Sequence, residues 1–183
     1  MTTYRFRRLS RADFPLLAGW LAQPHVHRWW YHQSTPEAVE HDFGGGVDGT
    51  EPCEDLIVHR DGEPIGLLQR SRIADYPEEF AGLAAITTVP AGAVTIDYLI
   101  GDPERTGRGI GTEMIRAAVA ETWEAYPDAA TIIVAVVAAN TASWRALERA
   151  GLRRVAVGDL EPDNPADSPL HYIYRIDRGD IEA

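Results

Sequence analysis

Apolar and polar residues follow one another along this chain in two rhythms, strand-like alternation and helical recurrence. Thr3–Leu9 alternates and predicts a first strand. Ser10-Arg-Ala-Asp13 has the form of a capping box, and Phe14, Leu17 and Trp20 then recur near one face of a helix running to about Leu21. Ser34-Thr-Pro-Glu37 opens a second, short helix, with Pro36 suited to its first turn. Leu56–Arg60 and Glu63–Ile73 flank Asp61-Gly62 and read as a β-hairpin. Asp75–Pro90 is mixed in polarity and predicts no definite element. Ala93–Ile100 is a strand, and Gly109–Tyr126 a helix with Ile110, Met114, Ile115, Ala118 and Val119 among its apolar positions. Thr131–Val137 is almost continuously apolar, as a strand buried on both faces is. Thr141–Ala150 is a helix stopped by Gly151, and Arg153–Leu160 and Leu170–Arg178 form a terminal pair of strands. The succession predicts an α/β fold with a mixed sheet. No repeat or low-complexity linker interrupts it, so residues 1–183 are expected to form one domain.

Between the strand ending at Ile100 and the helix that follows lies Arg105-Thr-Gly-Arg-Gly-Ile-Gly-Thr112. Glycines at 107, 109 and 111 permit positive φ and close approach of backbone N–H groups to a ligand. The first turn of the helix adds unpaired N–H groups and a positive dipole end, which suits a phosphate or pyrophosphate. Two glycine-loop motifs do not fit. No Lys-Ser/Thr pair follows, as a P-loop requires. The spacing is Gly-x-Gly-x-Gly rather than Gly-x-Gly-x-x-Gly, and Thr131–Val137 carries no carboxylate for a ribose. A glycine turn that binds nothing is the other reading of the loop taken alone.

At 183 residues, with 45% apolar and 25% charged residues, the chain has the composition of a globular domain with a full core. The net charge of −11 disfavours nucleic acid and suits a cationic ligand wherever carboxylates line its site. A single cysteine, Cys53, excludes an intramolecular disulfide and fits a reducing compartment. Cys53 sits in a polar loop without a neighbouring histidine, and a structural role is expected for it. The amino-terminal residues lack a signal-like apolar stretch, and no run is long enough for a membrane span. The expected location is therefore cytoplasmic. The six histidines show no metal-ligand spacing, so no metal is expected.

The order of elements, with a glycine loop after the fourth strand, resembles the GNAT superfamily of N-acetyltransferases over nearly the whole chain. The family signature Gln/Arg-x-x-Gly-x-Gly/Ala is met by Gly109 and Gly111, with Thr106 in the Gln/Arg position and Arg105 one residue early. A second family block, Asn-x-x-Ala/Ser before a helix, appears as Asn140-Thr-Ala-Ser143 and continues to Gly151-Leu152. The resemblance implies one domain, with a mixed, mostly antiparallel sheet of about seven strands flanked by about four helices. It implies acetyl-CoA as cosubstrate, its pyrophosphate on the amides of Gly107, Arg108, Gly109, Ile110, Gly111 and Thr112. Arg105 and Thr106 lie beside that loop, and the pantetheine arm would pair with the backbone of Tyr98, Leu99 and Ile100 and with Asn140. An N–H at Tyr98 or Leu99 would donate to the thioester oxygen as charge develops.

Within that superfamily, several strings resemble aminoglycoside 6'-N-acetyltransferases. These are Gly62-Glu-Pro-Ile-Gly66 with Gln69, His25-Val-His-Arg-Trp29-Trp30, Ile96-Asp97, and Asp167-Ser-Pro-Leu-His-Tyr172. The resemblance implies a polycationic amine substrate, held by Trp29, Trp30, Asp75, Asp97 and Asp167, and a role in antibiotic resistance. It implies no nucleic-acid or membrane partner, and leaves both a monomer and a homodimer open. Asp75, Tyr76, Glu78 and Glu79 form either an acidic lid or a solvated loop. Val134-Ala135-Val136 stands where that family can carry a substrate-binding aspartate. Other acceptors stay open: a different aminoglycoside position such as the 2' amine of kasugamycin, or a protein N-terminal amine. A non-catalytic acyl-CoA sensor is a further alternative.

The chemistry narrows the catalytic candidates. A sugar ammonium must lose a proton before attack, and Asp97 is the candidate that binds it and takes that proton, directly or through water. An ordinary Asp, of pKa about 3.9, is a weak base at neutral pH, so positioning is the alternative role. The family often places a tyrosine seven residues after the asparagine to protonate the leaving thiolate; here that position is Leu147. Water, Tyr172 or Tyr174 is left for that task. Asn140 also suits the cap of its helix.

Overall fold

The structure is a computed structural model and describes residues 2–180. The strands are β1 (Tyr4–Arg8), β2 (Glu54–Arg60), β3 (Glu63–Arg72), β4 (Val94–Ile100), β5 (Thr131–Val137), β6 (Arg153–Asp159) and β7 (Leu170–Asp177). The helices are α1 (Phe14–Leu21), α2 (Pro24–Trp30), α3 (Pro36–Asp48), α4 (Pro77–Ile86), α5 (Ile110–Ala125) and α6 (Thr141–Ala150). Strand order is β1-β2-β3-β4-β5-β7-β6 in a seven-stranded mixed sheet. β4 and β5 are parallel, with Val94 opposite Ile132, while β1–β2, β2–β3, β5–β7 and β6–β7 are antiparallel.

Six α-helices among the described residues exceed the expected four. α2 is seven residues long, too short for its apolar spacing to register, and is set by Pro24 in its first turn and by Tyr31, whose φ of 56° ends it. α4 buries only Leu83, so its sequence carries no apolar stripe, and Pro77 with Glu78 and Glu79 in the first turn starts it instead.

The chain folds into two compact units. One contains the residues up to Arg70 together with Asp97–Arg108. Its core is Leu9, Leu17, Trp20, Leu21, Val26, Val39, Phe43, Ile57, Leu67 and Leu99. The expected capping box is present at Ser10 and Asp13, and Arg7 grips the Asp13 carboxylate with both guanidinium nitrogens at 2.9 and 2.7 Å. Asp61 and Gly62 both have positive φ, 53° and 89°, as a two-residue hairpin turn matched to strand twist requires. The other unit contains Ser71–Ile96 and the chain from Gly109 onward. Ile73, Leu83, Ala93, Ile133 and Ile173 form a core there. In the same unit Arg178 donates to the carbonyls of Trp123, Tyr126 and Ala129 and closes the C-terminal end of α5.

The β2–β3 hairpin carries polar pairs directly across the strands. Arg70, almost fully buried, donates to Glu54 at 2.6 Å. Asp55, only 6% exposed, accepts from the Gln69 side chain at 2.6 Å. Burial pushes the Asp55 carboxyl up to about 6, against the Gln69 hydrogen bond and the charge of His32, which favour the ionised form. Farther along β3, Gly66 leaves room that β4 fills. A Cβ built there would lie 1.9 Å from the Leu99 carbonyl oxygen.

Two stability outcomes follow. The folded Asp55 carboxyl holds its proton more tightly than an unfolded one, so its contribution is present below about pH 4 and is lost as pH rises through about 6. Asp55→Asn keeps an acceptor for Gln69 and is expected to stabilise the protein by about 2 kcal/mol at pH 8, the gain fading by pH 4, in urea titrations across pH. Gly66→Ala is expected to cost about 2 kcal/mol in the same titrations at pH 8, since the obstacle is backbone rather than a movable side chain.

Candidate active site

The glycine loop adopts the backbone its residues allow. A short 3-10 turn at Pro103–Arg105 is capped by Asp102, whose side chain accepts from the Glu104 N–H at 2.9 Å. Thr106 donates its hydroxyl to the Pro103 carbonyl at 2.7 Å, and Arg105 pairs with Glu63 at 2.7 Å and Asp102 at 3.4 Å. Both side chains are thus engaged within the protein. Gly107 and Gly109 have φ of 70° and 84°, and a Cβ at either would meet nothing within 4 Å. It is backbone conformation, then, and not crowding, that selects glycine here. Gly109 is the N-cap of α5, and it supplies no side-chain cap to that helix. Its leading N–H groups are the ones a helix leaves without internal partners, and Arg108 is exposed beside them. Uncapped amides, a positive helix end and an exposed arginine fit a pyrophosphate group.

β4 presents its backbone in a constrained way. Leu99 is buried with its carbonyl over Gly66, the Gly101 N–H donates to the Ile65 carbonyl at 2.9 Å, and the indole of Trp20 lies where a Gly101 Cβ would sit. In a planar trans peptide C=O and N–H point in opposite directions. The Leu99–Ile100 peptide therefore directs the Ile100 N–H away from Gly66. His25 of α2 reaches the Ile100 carbonyl at 2.8 Å through Nε2. Its other ring nitrogen, Nδ1, is buried without a hydrogen-bond partner, so the ring's polar contact is the one to β4.

Asp97 is exposed on β4 between buried Ile96 and half-buried Tyr98. Its charge, after burial and after that of Asp55, helps push the half-buried Cys53 thiol up to about 12. Burial and neighbouring carboxylates thus disfavour the Cys53 thiolate. Trp29 and Trp30 are both half-buried: Trp30 packs against the core, whereas the Arg28 guanidinium lies 4.2 Å from the centre of the Trp29 ring. Trp29, Trp30, Asp97, Tyr98, Leu99, Ile100, Arg105, Thr106, Gly107 and Arg108 all belong to the first unit.

Gly109, Ile110, Gly111, Thr112, Asn140, Asp75 and Asp167 belong to the second. Asn140 caps α6 by accepting from the Ser143 N–H at 3.2 Å. Asp75 is exposed in a 3-10 turn before α4, and Asp167 is half-buried in the loop between β6 and β7. Glu79, on α4, is pushed up by burial and then by the charge of Asp163. Leu147 is buried in α6. The Tyr174 hydroxyl donates to Glu148 at 2.8 Å and accepts from Arg154 at 3.0 Å, while Arg154 stacks on Tyr172 at 3.8 Å from the ring centre. These contacts tie the buried Tyr174 to the exposed Glu148 and Arg154, with its own ionisation raised chiefly by burial.

The structure adds residues that periodicity passed over. Asp55 stands opposite Gln69, and a carboxylate beginning the apolar run Leu56-Ile57-Val58 was its only sequence signal. Gly45 and Gly46 of α3 lie against the carboxylates of Glu51 and Asp55; a Cβ at either would come within 2.5 Å of an oxygen. Consecutive glycines inside a helix cost roughly 1 kcal/mol each relative to alanine, and here they make room for acidic side chains.

The sequence profile of the acetyltransferase (GNAT) domain matches residues 10–160. Proteins described as aminoglycoside N(6')-acetyltransferase type 1, from Klebsiella pneumoniae and Serratia marcescens, are each 26% identical over 168 residues, covering 87% of this chain and 78% of theirs. The crystal structure of aminoglycoside acetyltransferase AAC(6')-Ib in complex with coenzyme A superposes with a TM-score of 0.82 at 24% identity, covering 98% of each chain. The aminoglycoside N(6')acetyltransferase of Legionella pneumophila gives a TM-score of 0.73 at 19% identity over 98% of this chain and 94% of its own. With the profile spanning most of its length and the fold matching throughout, the chain belongs to the GNAT family, whose acetyltransferases take the acetyl group from acetyl-CoA.

Proposed function

We propose that this enzyme acetylates an aminoglycoside, at the 6' amine. The observation that carries the reading is the exposed Asp97 on the strand whose Leu99 carbonyl lies against Gly66 and whose Ile100 carbonyl is held by His25. A carboxylate for a cationic amine then lies on the same short segment as the backbone groups expected to hold the acyl donor. The two curated relatives, matching 87% of the chain, support the acceptor class, and the net charge of −11 supports a polycation.

The donor's pyrophosphate would rest on the amides of Gly107–Thr112, with Arg108 as the adjacent charge. Arg105 is already neutralised by Glu63 and Asp102 and contributes by holding the loop. The Ile100 N–H, on the far side of the peptide from Gly66, joins Tyr98 and Leu99 as a candidate donor to the thioester oxygen. Asp97 holds the acceptor ammonium. Trp29 offers a ring face, and Asp75 and Asp167 are further carboxylates for a polyamine. With Leu147 aliphatic and Tyr174 committed elsewhere, the thiolate leaves to water. A thiol pKa of about 8.5 makes that tolerable.

Thiol release from acetyl-CoA is expected with kanamycin, tobramycin and gentamicin, and not with an N-terminal peptide; turnover of the peptide alone would sink the reading. Kasugamycin lacks a 6' amine, so its acetylation alone would move the assignment to the 2' position. Asp97→Asn is expected to lower kcat/KM for the aminoglycoside about 100-fold. Gly109→Ala forces a side chain into a left-handed N-cap; it should raise KM for acetyl-CoA about tenfold and leave KM for the aminoglycoside within a factor of two.

A further inference from the structure

We infer that His32, oriented by Asp42, is the base that removes the proton from the acceptor amine, while Asp97 positions it; this rests on the acetyl-transfer reading above. An exposed aspartate attracts an ammonium well but takes its proton poorly near neutral pH. The first unit holds a group better suited to that task. α2 ends at Tyr31 in a left-handed conformation, and the next residue is His32. His32 Nδ1 lies 2.7 Å from Asp42 Oδ2 of α3. The backbone carbonyl of His32 accepts from His27 Nδ1 at 3.1 Å, and the ring lies 6.0 Å from Trp30 and 5.4 Å from Phe43 between centres. Ring plane and main chain are both held.

That arrangement decides where the lone pair is. Asp42 accepts from Nδ1–H, so the neutral imidazole carries its free pair on Nε2. Among the described residues Nε2 has no hydrogen-bond partner, and the side chain is 33% exposed. A carboxylate on one nitrogen and an open lone pair on the other is the arrangement of an oriented imidazole base. A merely packed histidine has no need of it.

Charged and titratable groups face the ring from three elements. From α3, Asp42 faces it directly and His41 shares that carboxylate at 3.1 Å; from α2, His27 bonds to its backbone. From β2, the buried Asp55 carboxyl feels its charge. His25, at the start of the helix that His32 follows, reaches the Ile100 carbonyl at 2.8 Å, so α2 lies against β4, the strand that carries Asp97. The chemistry balances as follows. The amine nitrogen forms the C–N bond at the acetyl carbon, and the C–S bond breaks with its electrons going to sulfur. The N–H proton passes to His32 Nε2, and the imidazolium returns it to solvent or to the thiolate.

The test measures kcat/KM for the acceptor from pH 6 to 9.5 by thiol release, in the wild type, His32→Gln and Asp42→Asn. Coenzyme A binding by calorimetry serves as the check on folding. His32→Gln is expected to lose about 100-fold at pH 7 and less than tenfold at pH 9.5, where the free amine forms unaided. Asp42→Asn should lose about tenfold at pH 7, and both variants should bind coenzyme A with unchanged affinity. A His32→Gln profile parallel to the wild type within threefold overturns the inference. Should coenzyme A binding be lost, His32→Asn with its smaller amide is measured instead, read by the same criterion. The acceptor panel spans aminoglycosides, simple primary amines and an N-terminal peptide. Turnover confined to a non-aminoglycoside with the His32 effect intact overturns the acceptor assignment and supports the base. Aminoglycoside turnover indifferent to His32 does the reverse, and no turnover of any amine overturns both.

Discussion

The close approach of the Leu99 carbonyl to Gly66 is the constraint on which the first unit's chemistry depends. β3 carries no side chain at that point, so β4 can bring the Leu99 carbonyl close to it. Gly101 N–H bonding to Ile65 and the Ile100 carbonyl bonding to His25 hold the next peptide of the strand from both edges. An oriented backbone N–H is useful in catalysis only if it does not reorganise when charge develops. Three contacts made by neighbours that are themselves buried or hydrogen-bonded supply that rigidity.

Acidity in this protein is used in two ways. At the surface, carboxylates pair with arginines, as Asp13 does with Arg7 and Asp128 with Arg72, and their proton affinities fall accordingly. Asp55 is used differently: it is opposed by a neutral amide and lies against a helix glycine, and burial raises it. The cost of burying that carboxyl appears as stability forgone above pH 6.

Much of this was written in local patterns. The capping box at Ser10, the Asp61-Gly62 hairpin, the glycine loop and the Asn140 cap each depend on residues within a few positions of one another, and each is present. α2 and α4 escaped because short or weakly buried helices have no apolar stripe to read. Arg105 and Thr106 carried motif expectations, yet their side chains are taken up by Glu63, Asp102 and Pro103. A motif states residue type and spacing; it does not state which neighbour reaches the side chain first.

The sequence by itself determined the family, the donor and the backbone of the cradle, because positive φ at Gly107 and Gly109 and an uncapped helix start are local properties. Only the tertiary structure decided which titratable groups share a neighbourhood. Nothing in the spacing of His32, Asp42, Asp55 and Asp97 relates them, since they come from the turn after α2, from α3, from β2 and from β4. Proton affinity depends on burial and on charges a few ångströms away in space. Cys53 and Asp97, 44 positions apart in sequence, feel one another only because strands far apart along the chain are brought together by the fold.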